Sequence, residues 1–270
     1  MALKSEVRRS PVAALLYGAP IGLLGGLIGL GGAEFRLPVL AGVFGYAARR
    51  AVALNLAISL VTVVSALLIR GGTLSLAPVV ELLPVALAMM AGAVSAAFVG
   101  VALVHRVSER LLERFILVLL VGIGMALVIE AFLPREVAGF LPQESLLLLR
   151  LVVAALFGLF IGLVSSLLGV AGGELIIPTL VFVFGVGIKT AGTASLLVSL
   201  PTVAVGVFRH RRLSSFADRA DLTQTVAPMG VGSVVGAVVG GLFVGLVPAS
   251  MLKLVLGVIL IVSAVRIFYR

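Results

Sequence analysis

"GVAGGELIIP", residues 169–178, sets two glycines, a glutamate and a proline inside one of the most apolar stretches of the chain. The same grammar occurs earlier as "GLGGAEFRLP", residues 29–38. In hydrocarbon, a backbone N–H or C=O without a partner is costly. A greasy helix broken twice in the same way is therefore expected only where protein buries the break or where it lines a wet cavity.

The composition sets the solvent. Hydrophobic residues make up 61% of the chain, charged residues 11%, and mean hydropathy is +1.31. Soluble domains carry roughly 25% charged residues. Stretches 148–170, 225–247 and 251–265 are long enough to cross the ~30 Å hydrocarbon layer as helices. The reading is an all-α polytopic membrane protein, multi-pass in the cell membrane. The net charge of +9 does not point to nucleic acid, because the basic residues lie between apolar segments rather than in an aromatic-rich patch. The absence of cysteine excludes disulfides and thiolate metal sites. The N-terminal "MALKSEVRRSPVAALLYG" is basic and then apolar, like a signal peptide, but lacks a convincing cleavage site and reads as a retained first helix.

Residues 22–72 align without a gap on 162–212 at a constant offset of 140. Gly29/Gly169, Gly32/Gly172, Glu34/Glu174, Pro38/Pro178, Gly45/Gly185, Ser59/Ser199 and Thr62/Thr202 all match. Further on, Pro84/Pro228, Gly92/Gly236 and Ala96/Gly240 align at an offset of 144. Each half holds five apolar segments: 11–31, 34–46, 51–69, 78–104 and 110–132, then 148–171, 174–186, 190–208, 225–246 and 250–267. The second of each set is too short to span untilted. The expected organisation is a first repeat over 1–133, an extracytoplasmic linker over 134–147 and a second repeat over 148–270.

With the N-terminus inside, Lys4, Arg8, Arg9, Arg49, Arg50, Arg106, Arg110, "RHRR" (209–212), Arg219, Arg266 and Arg270 all fall in the cytoplasm. That is the distribution the positive-inside rule requires. Arg70, Arg135, Arg150 and Lys189 stand against it. Both termini are expected inside, and five segments per half give the repeats opposite orientation. Inverted repeats with broken or re-entrant helices at Gly-Gly-x-Glu motifs are a construction of secondary transporters.

A segment restarting after Gly31–Gly32 or Gly172–Gly173 points its positive end into the break, where an anion can sit. Gly31, Gly32, Ala33, Gly172 and Gly173 are candidate substrate-binding positions, with Pro38 and Pro178 as structural parts of the breaks. Packing alone is the plainer reading of the glycines, and it explains Gly232, Gly236 and Gly240. Glu34 and Glu174 fit proton coupling, since a buried carboxyl that takes up a proton becomes a donor, or simple capping of the helix start. Arg36, whose mate is Ile176, can grip an oxyanion with its fork or snorkel to an interface. Asn55, Ser59 and Thr62 share a helix face, as do Ser195, Ser199 and Thr202. They suit anion solvation or ordinary interhelical hydrogen bonding.

The paired "GxGG…P" and "GVAGGELIIPTLVFVFG" signatures, in two repeats each followed by a polar helix, resemble the sulfite exporter TauE/SafE family, also called the toluenesulfonate uptake permease family. The resemblance covers essentially the whole chain. It implies a multi-pass permease for sulfite, sulfonates or other organosulfur anions. In the first copy "GGAEFR" replaces the commoner triple-glycine form and adds Arg36, which points to inequivalent half-sites.

The expected function is a secondary permease for a small sulfur-containing oxyanion, with no cofactor and no metal. The partners are the bilayer, the anion and, as an option, further copies of the chain. A rival is a cation or proton exchanger that uses Glu34 and Glu174 as ligands. An embedded enzyme would need a nucleophile with a base or a metal cluster. His105, His210, Asp218 and Asp221 fall in expected loops, away from both breaks.

Overall fold

The computed structural model describes residues 10–104, 109–133, 139–141, 144–168, 172–212 and 219–268. Lys4, Arg8, Arg9, His105, Arg106, Arg135 and Asp218 lie outside the described residues. So do half of the 134–147 linker and the "GVA" at 169–171. The described residues are helical and contain no strand. Five helices are long and apolar enough to cross a membrane: Pro11–Ile28, Arg50–Thr73, Leu147–Ser165, Ile188–Phe208 and Leu222–Phe243. Large apolar side chains such as Leu68, Val118 and Phe132 are more than two-thirds exposed, which suits a lipid-facing surface. The chain is a multi-pass helical membrane protein.

The elements follow the two motifs. Helix α1 (Pro11–Ile28) begins behind Ser10, whose hydroxyl accepts from the Ala13 N–H at 3.4 Å, and ends at left-handed Gly29. Helix α2 (Ala33–Pro38) runs into a π-helical turn, Val39–Val43. Helix α3 covers Ala48–Thr73, α4 Ala77–Glu81, α5 Leu83–Val104 and α6 Glu109–Ala131. The pattern recurs 140 residues on: α7 (Leu147–Leu168), α8 (Gly173–Pro178), a second π turn (Thr179–Val183) and α9 (Ile188–Arg212). Helix α10 (Arg219–Asp221), a third π turn (Leu222–Val226), α11 (Ala227–Phe243) and α12 (Ala249–Phe268) complete the chain.

Each proline of the motifs stands where α geometry passes into π. It has no N–H to give to a ladder, and the next turn is closed instead by bonds such as Phe44 N–H to the Val39 carbonyl at 3.0 Å. The segment Gly173–Val183 rises about 16 Å at 1.5 Å per residue, near half the hydrocarbon thickness.

Helices from the two halves are interleaved. Helix α1 packs along α11, α5 along α7, α6 along α12, and α3 along α9. Close approach is made by glycine. A Cβ on Gly18, Gly22 or Gly26 would collide with the carbonyls of Met229, Ser233 and Ala237. Gly158 and Gly162 meet Met89 and Ala93 in the same way. Gly232 lies on Leu15 and Ala19, while Gly92 lies on Ala155 and Leu159. Leu15 and Ala19 stand 140 residues before Ala155 and Leu159, so Gly232 and not Gly236 is the counterpart of Gly92. The offset of 144 expected for this region is one helical turn out. Glycines repeating every four residues make such a slip self-similar in sequence. Gly236→Ala would press a methyl into the Ala19 carbonyl. It is expected to cost about 1–3 kcal/mol, read as a lower melting temperature in detergent.

Helices α3 and α9 run in opposite directions. Arg50, at the start of α3, pairs with Asp221, just beyond the end of α9. Arg70, near the end of α3, bonds Lys189 and Thr193 at the start of α9. Two sequence expectations change here. Arg70 is fully buried rather than in an outside connection, so it carries no topological weight. Asp221 is buried in an ordered helix start, held by Arg50 and Tyr46, because a carboxylate this deep needs a cation.

Candidate functional site

The first break is the turn between α1 and α2. Gly32 takes φ 74° and caps α2. Gly172 takes φ 77° at the start of α8. These are left-handed conformations that L side chains rarely adopt, which is why the motif needs glycine there. Ala33, Glu34 and Arg36 are buried at the first break, and Gly173, Glu174 and Pro178 at the second. Pro38 is half-buried.

Arg36 organises the first break. Its guanidinium is fully buried. Nη1 donates to Ser59 Oγ at 2.9 Å and Asn55 Oδ1 at 3.4 Å. Nη2 donates to the Gly31 carbonyl and Thr62 Oγ1, both at 3.2 Å, and to Ser233 Oγ at 3.4 Å. Asn55 in turn donates from Nδ2 to the Ala33 carbonyl at 3.0 Å, pinning α2 to α3. Thr62 donates to the Ile58 carbonyl at 2.8 Å, leaving its oxygen free to accept from Arg36. The stripe expected to solvate an anion therefore solvates an arginine. The cause is general: a guanidinium in a low-dielectric interior recruits every neutral acceptor within reach. Snorkelling is excluded, since the side chain goes inward.

All five acceptors are neutral, and Arg36 Nε has no hydrogen-bond partner. Glu34, two residues away, is within Coulombic range of Arg36, yet both its carboxylate oxygens are buried with no hydrogen bond from another residue. The first break thus holds one cation without a bonded counterion and one carboxylate that no other residue's donor reaches.

The second break is built differently. Ile176, the mate of Arg36, is buried in the apolar core. Ser195, the mate of Asn55, is buried with its hydroxyl unpartnered. Thr202 is half-buried and donates to its own Val198 carbonyl at 3.2 Å. Ser199 is buried on the same helix. A Cβ built on Gly173 would lie 3.2 Å from Ser195 Oγ and 3.2 Å from both the Cα and the carbonyl oxygen of Leu30. The two breaks therefore touch: Gly173 of one faces the backbone beside Gly31 of the other.

Ser233 is the residue that sequence reasoning missed. It bonds Arg36 and also donates to the Gly18 carbonyl at 3.2 Å. A signal was present. At offset 140 its mate is Ala93, so the helix that packs on α1 beside the arginine carries serine, and its counterpart packed on α7, in the half of the isoleucine, carries alanine.

The sequence model of the family described as sulfite exporter TauE/SafE matches residues 2–127 and 154–270. The chain belongs to the sulfite exporter TauE/SafE family. A protein of Methanocaldococcus jannaschii named "probable membrane transporter protein" is 33% identical over 128 residues, and the match spans 45% of each chain. No solved structure matches. The chain is thus a TauE/SafE member with apolar helices of membrane-spanning length.

Proposed function

We propose that this protein is a secondary permease for a small sulfur-containing oxyanion, held where the two breaks meet. The observation that carries the reading is Arg36: a buried cation at a break, bonded only to neutral groups. A charge so placed is costly and is by default functional. The anion would sit against the breaks, taking donors from Arg36, the Ser195 hydroxyl and the backbone near Gly173. Glu34 completes the scheme. Ionised, it neutralises Arg36 and repels an anion; protonated, it leaves the arginine charge to the substrate. Anion uptake is then tied to proton uptake. Arg36 also weighs against the cation exchanger, because a metal ion on Glu34 would lie beside a guanidinium.

The antiparallel run of α3 and α9, with matching elements 140 residues apart, supports two repeats of opposite orientation, 1–133 and 148–270 about the 134–147 linker. Such repeats work by rocking one half against the other around a fixed site. On this reading both termini are cytoplasmic and no enzymatic step is involved.

The test is thermal stabilisation of the purified protein across sulfite, thiosulfate, sulfate, sulfonates, chloride and sodium. A ligand of the folded state raises its stability by mass action. A selective shift with a sulfur oxyanion is expected, and it is lost in Gly173→Leu, whose side chain fills the space between Leu30 and Ser195. A shift with sodium alone, abolished by Glu174→Gln, would replace this reading with cation exchange.

A further inference from the structure

Positions 140 residues apart on the two faces of the protein are unlike. Where α3 begins, the turn after the first π segment brings Tyr46 and Arg50 onto Asp221, which is 2% exposed. The Tyr46 hydroxyl lies 3.1 Å from Asp221 Oδ1 and 2.8 Å from Thr225 Oγ1. Arg50 pairs with the other carboxylate oxygen and is 40% exposed, closing the cluster toward water. The counterparts of Phe44, Gly45, Tyr46, Arg50 and Asp221 are Phe184, Gly185, Val186, Thr190 and Glu81. All five of these counterparts line one cavity of about 370 Å³. Arg150 lines it too, its guanidinium 5.9 Å from the centre of the Phe184 ring.

The same place in the fold thus buries Tyr46 and Asp221 on one face and lines a cavity on the other, and side-chain size explains much of the difference. Valine and threonine stand where the first copy has tyrosine and arginine. The two places are separated by the length of α3 and α9, about 38 Å for 25 residues.

We propose that Arg50, Asp221 and Tyr46 form a latch that seals the transport path at one face, and that the cavity at Glu81 and Thr190 is its entrance at the other. The proposal rests on the permease reading and adds to it a resting orientation. The protein waits open toward the cavity, and substrate leaves only when the latch parts. The charge pattern puts the latch on the cytoplasmic side.

The chain has no cysteine, so Ser195→Cys supplies a single thiol at the second break. Its reaction with a membrane-impermeant methanethiosulfonate is measured in right-side-out and inside-out vesicles. Labelling is expected from the cavity face alone. Adding Asp221→Asn should raise the rate from the Arg50 face by about tenfold or more, as the population shifts to the unlatched form. Tyr46→Phe, which keeps the ring packing, should raise it less and covers the case in which Asp221→Asn does not fold. Exchanging the charges, Arg50→Asp with Asp221→Arg, should bring the rate back down. An unchanged rate from the Arg50 face in these variants would overturn the latch, and so would a thiol unreachable from both faces throughout. Either result would leave anion-selective stabilisation intact, whereas failure of the permease reading would remove it.

Discussion

Arg70→Ala is expected to leave little folded protein in the membrane. Arg70 is fully buried, and it ties three elements together with four bonds. Nη1 donates to the Gly26 and Leu27 carbonyls at 2.9 and 3.0 Å. Nε donates to Thr193 Oγ1 at 3.0 Å, and Nη2 to the Lys189 carbonyl at 2.7 Å. Gly26 and Leu27 lie in the last turn of α1, where carbonyls have no partner within the helix. The arginine therefore completes α1 just before the first break while fixing it to α9 of the other half. Alanine would strand the Gly26 and Leu27 carbonyls, while Thr193 keeps its bond to the Lys189 carbonyl, at a cost of roughly 1–3 kcal/mol for each buried group left unpaired. Folded domains are stable by only about 5–15 kcal/mol, so the sum is decisive. Arg70→Lys should recover little, because one ammonium cannot reproduce the fork that reaches both helices. Size-exclusion yield and melting temperature in detergent check this. An Arg70→Ala protein that melts within a few degrees of the parent would show that the tie is dispensable.

The second large effect is expected at Arg36. Arg36→Met should abolish the anion-selective shift and also lower stability, since Glu34 would then be a buried carboxylate with no cation near it. Pairing it with Glu34→Gln should restore stability but not the anion response. The coupling between the two sites is expected to be about 1–3 kcal/mol. Glu34→Gln alone should keep the anion response and remove its dependence on pH, whereas the parent should respond more weakly as pH rises and Glu34 ionises. Melting curves for the four proteins, with and without sulfite at several pH values, decide the matter. If the single changes simply add, Glu34 and Arg36 are independent and the proton scheme fails.

What the sequence made legible was local or periodic. The glycine breaks, the short second segments and the faces Asn55–Ser59–Thr62 and Ser195–Ser199–Thr202 are set by spacing along one segment. What escaped it was partnership across the chain. Arg70 reads as a misplaced loop charge until Gly26 and Thr193 are seen around it. Asp221 reads as a loop acid because its stabilising contacts, Tyr46 and Arg50, lie more than 170 residues away. Arg36 was singled out correctly as the asymmetric residue, but its destination among the hydroxyls depends on Ser233, on a helix from the other half. The slip from 140 to 144 has the same origin. A stripe of glycines fixes which face is buried and not which turn meets which.

The packing of α1 on α11 also sets a timetable. During synthesis residues 11–28 emerge about 200 residues ahead of their partner at 227–243. At about 5–20 residues per second, the first helix waits roughly 10 to 40 s with Gly18, Gly22 and Gly26 facing lipid or another protein. Neither half can reach its final packing before the other is inserted, so a chain truncated before α11 is left with an unmatched groove at its N-terminal helix. Packing of the two halves is therefore largely a single event that waits for α11, and quality control in the membrane has that interval in which to act on α1.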